Sequence, residues 1–140
     1  MKASPYLAFN GECAEAVALY EKALGVKAGA ITRYRDLPPS EGYTPPAGTE
    51  DFIVHTQFDF DSGAICMCDT TPDNKCSFSN EMSVHMELDS ENAVKAAFDV
   101  LKEGGEVEME PAATFWSKCF GTLTDRFGVS WMLSFEQCSE

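Results

Sequence analysis

Extended and helical signals recur along this chain in one order (strand, helix, strand, strand, strand), and that order occurs twice within 140 residues. In the first run, Pro5 to Asn10 is a short aromatic strand closed by Asn10-Gly11. Ala16, Val17, Leu19, Tyr20, Ala23 and Leu24 then give Cys13 to Leu24 a helical spacing, with Gly25 as its stop. Ala28 to Arg35 reads as a strand. Asp36 to Glu50 carries four of the seven prolines and cannot hold a continuous ladder. A connection of that length, about 15 residues, covers a site or reaches a neighbouring subunit in many folds. Asp51 to Phe60 alternates, with Phe52, Val54, Phe58 and Phe60 on one side and Ile53, His55 and Gln57 on the other. Asp61-Ser62-Gly63 turns it back into Ala64 to Cys68.

Thr70 to Asn80 is polar and turn-rich, and after it the order restarts. Met82 to Leu88 is a strand with Val84, Met86 and Leu88 on one face and Ser83, His85 and Glu87 on the other. Ser90 is a good helix cap, Ala93, Val94, Ala97, Phe98 and Leu101 form an apolar stripe, and Gly104-Gly105 ends it. Glu106 to Met109, Phe115 to Thr124 and Val129 to Phe135 supply three more strands, the last two joined by a turn at Asp125 to Gly128. Trp131, Leu133 and Phe135 read as core. The fold expected is therefore one α+β domain over 1–140, built of two βαβββ modules, 1–70 and 82–140, with 71–81 as linker. Neither half covers its own sheet face, so the two should combine into one curved, eight-stranded mixed sheet. The helices then pack on the convex side and leave the concave side free for a ligand.

Hydrophobic residues make up 44% of the chain, enough to bury a core and to exclude disorder as the main state. Against 10 basic residues stand 23 acidic ones, a formal net charge of −13. Such a field repels phosphate backbones and anionic lipid surfaces, so neither nucleic acid nor membrane is an expected partner. No apolar run approaches the ~20 residues of a spanning helix. MKASPYLAFNGE reads as the start of a strand, not a signal peptide, which makes cytoplasmic the expected location. The six cysteines lack metal-knuckle spacing. Cys66 and Cys68, two apart on a strand, lie ~6.6–7 Å from each other, at or beyond the reach of a disulfide. They read as reduced thiols.

The segments SPYLAFNGECAEAVALYEKALG and ATFWSKCFGTLTDRFGVSWML, with the strand containing His55, resemble PhnB-like proteins of the glyoxalase/bleomycin-resistance/extradiol-dioxygenase (vicinal oxygen chelate) superfamily. The resemblance covers nearly the whole chain and implies paired βαβββ modules and a homodimer. Metal-using members place His or Glu ligands on the first and fourth strand of each module. Carried across, those positions fall at Pro5, about Cys66, Ser83 and Met132. A first-row divalent ion held by oxygen and nitrogen wants His, Asp or Glu there, so the usual metal site is expected to be missing and no cofactor is implied. Some relatives carry a 3-demethylubiquinone methyltransferase label. The usual S-adenosylmethionine site needs a glycine-rich turn opening a helix of a parallel sheet, and Gly104-Gly105 ends a helix instead.

The strand parity that puts Ser83 and Met132 on the concave face brings His85 and Glu87 with them, His55 and Gln57 on the third strand, and Trp116, Lys118 and Phe120 on the seventh. Arg33 on the second strand is a further candidate for carboxylate or phosphate recognition. Apolar walls with a few fixed polar groups are the composition of a small-molecule pocket. His55, His85 and Glu87 are the candidates for acid–base work. Each has a plainer reading: a structural histidine, a cross-strand surface pair, a solvated Arg33, a Lys118 snorkelling over Trp116. Three functions compete: a small-molecule binding protein without catalytic metal, an enzyme of the superfamily with metal-free or rearranged chemistry, and a dimeric scaffold without a ligand. Stoichiometric metal on His55, His85 and Glu87 would favour the second.

Overall fold

The computed structural model describes residues 1–38 and 45–136. Part of the proline-rich connection and Cys138 lie outside them. The chain divides into two compact units, Met1–Glu21 with Gly25–Ser77, and Lys22–Leu24 with Phe78–Glu140. The eight strands form two four-stranded mixed sheets, one for each βαβββ repeat.

In the first unit, β1 (Tyr6–Phe9), α1 (Cys13–Leu24), β2 (Thr32–Arg33), β3 (Ile53–Phe60) and β4 (Gly63–Asp69) give the sheet order β1-β4-β3-β2. β1 runs parallel to β4; β3 is antiparallel to both neighbours. The hairpin closes with Phe60 opposite Gly63, so the turn is Asp61-Ser62. α1 begins where the sequence requires it. Gly11 takes φ +90°, and a Cβ there would lie 2.9 Å from the Phe52 ring, so only glycine lets strand and helix meet this closely. The first helical amide, Cys13, donates to the buried carboxylate of Asp69, whose other oxygen accepts the Ile53 amide. One side chain thus ties together the starts of α1 and β3 and the end of β4.

Two readings of this unit need correction. Ala28 to Arg35 is not a full strand: only Thr32 and Arg33 pair regularly, and a 3₁₀ turn at Tyr34–Asp36 follows. The Asp36 carboxylate takes the Arg33 amide and pulls the chain out of the ladder. Ile53 does not share the face of His55 and Gln57. The β2–β3 register shifts between Thr32 and Arg33, opposite His55 and Ile53, and Ile53 is fully buried, as Thr56 and Phe58 are, while His55 is exposed.

In the second unit, β5 (Val84–Glu87), α2 (Glu91–Leu101), β6 (Glu106–Ala112), β7 (Cys119–Thr124) and β8 (Ser130–Phe135) repeat the arrangement as β5-β8-β7-β6. Ser90 caps α2 by accepting the Ala93 amide at 3.0 Å. Val94, Ala97, Phe98 and Leu101 are its buried stripe, and α2 packs on β7 and β8. Gly121 is where the helix comes closest: a Cβ there would sit 3.1 Å from both Phe98 Cε2 and the Pro111 backbone nitrogen. Trp131 and Leu133 are core, as their alternation predicts.

Here too the sequence reading is revised. β6 runs on to Ala112 through two register shifts; Pro111 is tolerated because β6 is an edge strand. β7 starts at Cys119, not Phe115. The Thr114 hydroxyl accepts the Trp116 and Ser117 amides and holds this stretch in a turn. Asp125 does more than make a turn: it is buried and accepts the Phe127 and Val129 amides and the Trp131 indole N–H.

Candidate functional site

Each sheet has a face turned away from its apolar core, and His55, Gln57, His85, Glu87, Phe120 and Met132 lie on these two faces. In the second unit the register sets out two cross-strand rows. Glu87, Ser134 and Phe120 form one; His85, Met132, Thr122 and Met109 form the other. His85 Nε2 lies 2.8 Å from the hydroxyl of Ser134, which is fully buried. Among the described residues no hydrogen bond joins His85 to Glu87. Ser83 is exposed just ahead of β5.

Trp116 and Lys118 lie before β7, so strand parity does not place them. Trp116 reaches the predicted neighbourhood another way. From the Thr114 turn its ring meets Phe120 edge to face, with centroids 5.5 Å apart, and Phe115 at 4.6 Å. Phe115 is 97% exposed and Trp116 49%. Lys118 is exposed, and its amide bonds to Phe135 at the end of β8.

In the first unit, Tyr6, Cys66 and Gln57 lie opposite one another across β1, β4 and β3. Tyr6, rather than Pro5, is therefore the first-strand residue that faces the same way as Cys66. The Tyr6 hydroxyl is 2.9 Å from His55 Nδ1, with the rings 5.8 Å apart. Cys66 Sγ donates to Gln57 Oε1 at 3.4 Å, and Gln57 Nε2 donates to Asp59 at 2.6 Å. Partial burial, followed by the nearby Cys68 and Cys66, raises the Tyr6 phenol above its ordinary range, so it keeps its proton at neutral pH. Cys68 is raised as well, by burial and then by Asp69. The Arg33 guanidinium donates one bond to the Asp51 carbonyl at 2.6 Å, while Arg35 pairs with the Asp51 carboxylate.

The sequence reading did not single out Tyr6, Ser134 or Phe115. Tyr6 and His55 stand 49 residues apart, as do His85 and Ser134, and no local pattern encodes such pairings. Among the described residues, no group of three or more His, Cys, Asp or Glu is placed to hold a metal ion. A shallow depression in the first unit, lined by Asn10, Phe52, Thr70, Thr71, Pro72 and Lys75, includes none of the candidates. Among the described residues, no helix is long and apolar enough to cross a membrane.

Two mixed four-stranded sheets, each with one helix after its first strand, define the glyoxalase/bleomycin-resistance fold. A glyoxalase/bleomycin resistance protein from Albidiferax ferrireducens shares it with a TM-score of 0.64 at 11% identity, over 94% of this chain and 97% of that one. A sequence model of the family described as 3-demethylubiquinone-9 3-methyltransferase matches residues 1–134, and the chain belongs to that family, the PhnB-like branch of this superfamily. Protein YjdN of Escherichia coli is 34% identical, covering 96% of this chain and 95% of that protein. The structure of PA1353 from Pseudomonas aeruginosa has 36% identity and a TM-score of 0.84, covering 98% of both chains. A PhnB protein from Bacillus cereus has 25% identity and a TM-score of 0.76, over 96% of this chain and 99% of that one.

Proposed function

We propose that this protein binds a small molecule with an aromatic or apolar part on the open face of its second unit, and that it does so without the divalent metal of its superfamily. The observation that carries this reading is the corner where exposed Phe115 and Trp116 meet half-buried Phe120. Phe115 and Trp116, held edge to face in water, contribute little to the core, and exposed apolar surface of this kind marks a contact site. Met132 adds an adaptable apolar wall, while His85 and Glu87 supply polar groups on the same face. The net charge of −13 steers toward a neutral or cationic ligand.

The metal-free part of the reading is supported by the donors themselves. At the positions where the superfamily places its ligands, this chain has Tyr6 beside Pro5, Cys66, Ser83 and Met132, a poor set for a first-row divalent ion. Methyl transfer is no part of the proposal, although the family description names it. Both sheets are mixed rather than parallel, and the leading amide of α1, the kind of group that would cradle a cofactor phosphate or carboxylate, is occupied by Asp69. A homodimer belongs to this reading, as does a cytoplasmic location.

Native mass spectrometry of the untagged protein, purified without added metal, tests it. The expected species is a metal-free dimer carrying extra small-molecule mass that is lost in Trp116→Ala. One transition metal per subunit, lost in His85→Ala or Glu87→Ala, would replace this reading with a metalloenzyme. Extra mass retained by Trp116→Ala would move the site elsewhere.

A further inference from the structure

We propose that Tyr6 and His55 form a second recognition site, in the first unit, for the carbonyl oxygen of an uncharged aromatic molecule. This site shares no residue with the face described above and does not depend on it. The 2.9 Å contact between the Tyr6 hydroxyl and His55 Nδ1 can carry its proton in two ways. A phenol is a stronger acid than a neutral imidazole N–H, and an imidazole nitrogen is a stronger base than a phenol oxygen. The hydroxyl therefore donates and Nδ1 accepts. That bond sets the tautomer: His55 carries its proton on Nε2, which has no partner among the described residues and faces solvent. Tyr6 acts as the positioning residue and His55 as the donor.

Two of the neighbouring polar side chains on this face are already used. The Cys66 thiol donates to Gln57, and Gln57 donates to Asp59. His55 offers an N–H donor beside a tyrosine ring that is 55% exposed. A carbonyl oxygen matches the donor, and an aromatic ring matches the Tyr6 surface. A carboxylate would match the donor too, but Asp59 on the same strand and the net charge of −13 oppose it.

Long-range proton–nitrogen NMR of the histidine rings in the intact protein tests this. The spectra are recorded at a pH of about 8.5, well above the ordinary imidazole value. Benzamide and benzoate are the probes, equal in shape and different in charge. The expected result is an Nε2–H tautomer for His55, with its Nδ1 signal moving toward that of an unbonded nitrogen in Tyr6→Phe. Benzamide should shift the His55 signals more than benzoate does, and that shift should shrink in Tyr6→Phe. An Nδ1–H tautomer in the wild type, or an Nδ1 signal unmoved by Tyr6→Phe, overturns the tautomer argument. No shift with either probe overturns the site, and a larger shift with benzoate overturns the uncharged ligand class.

Discussion

The indole N–H of Trp131 donates to the Asp125 carboxylate at 2.9 Å, with both side chains buried, so the core of the second unit is organised around a charge. The other carboxylate oxygen accepts the Phe127 and Val129 amides, which fixes the turn between β7 and β8. Asp125→Ala strips three donors of their acceptor at once. Hydrogen bonds to a charged group are each worth about 1.5–3 kcal/mol, so the variant should lose about 3 kcal/mol or more in urea denaturation. Trp131→Phe keeps the two amide bonds and removes only the indole N–H donor, and should lose less than Asp125→Ala.

That pair also marks the border of what the sequence discloses. Elements bounded by strong local signals were legible: α1 between Gly11 and Gly25, α2 after Ser90, and the β3–β4 hairpin at Asp61-Ser62-Gly63. Alternation placed His55 with Gln57 and His85 with Glu87. It failed where a side chain competes with the ladder for backbone amides. Thr114 takes the amides of Trp116 and Ser117, and Asp36 takes that of Arg33; a run of aromatic or β-branched residues gives no warning of either. Site contacts such as Tyr6 with His55 join distant strands through register, which composition does not encode.

Thr56 is fully buried, and among the described residues its hydroxyl is the only buried side-chain polar atom without a hydrogen-bond partner. Burying such a group costs free energy that nothing returns. Thr56→Val keeps the shape and removes the oxygen. The substitution should raise stability by about 1 kcal/mol, seen as a higher urea midpoint at unchanged slope. A loss of stability would mean that an unseen water satisfies the hydroxyl.

Phe98 and Gly121 test how α2 meets its sheet. Phe98→Ala should cost about 3–5 kcal/mol, the usual loss for a core Phe. Gly121→Ala forces a methyl against Phe98 and the Pro111 backbone and should cost about 1–3 kcal/mol. In the double variant the methyl enters space that the ring has vacated. The combined loss should therefore fall short of the sum by about 1 kcal/mol, a coupling that chemical denaturation of all four proteins measures. Additive losses would show that Pro111 alone resists the methyl.

Cys13 is fully buried at the start of α1, and burial, followed by the nearby Asp69, pushes its thiol far above the ordinary value of 9.0. Cys68 and Cys119 are raised in the same direction, each chiefly by burial. A raised thiol keeps its proton in the folded chain while the unfolded chain releases it. Stability is then full below the unfolded value and falls as pH climbs from there toward the folded one. The slope is at most about 1.4 kcal/mol per pH unit for each proton. Urea midpoints should accordingly hold steady from neutrality to about pH 8 and drop through pH 9–10. Cys13→Ala should flatten that alkaline slope whatever it does to stability at pH 7, because the slope counts protons and the offset counts packing. An unchanged slope in Cys13→Ala would assign the alkaline loss to the other thiols or to the Tyr6 phenol, which burial raises in the same direction.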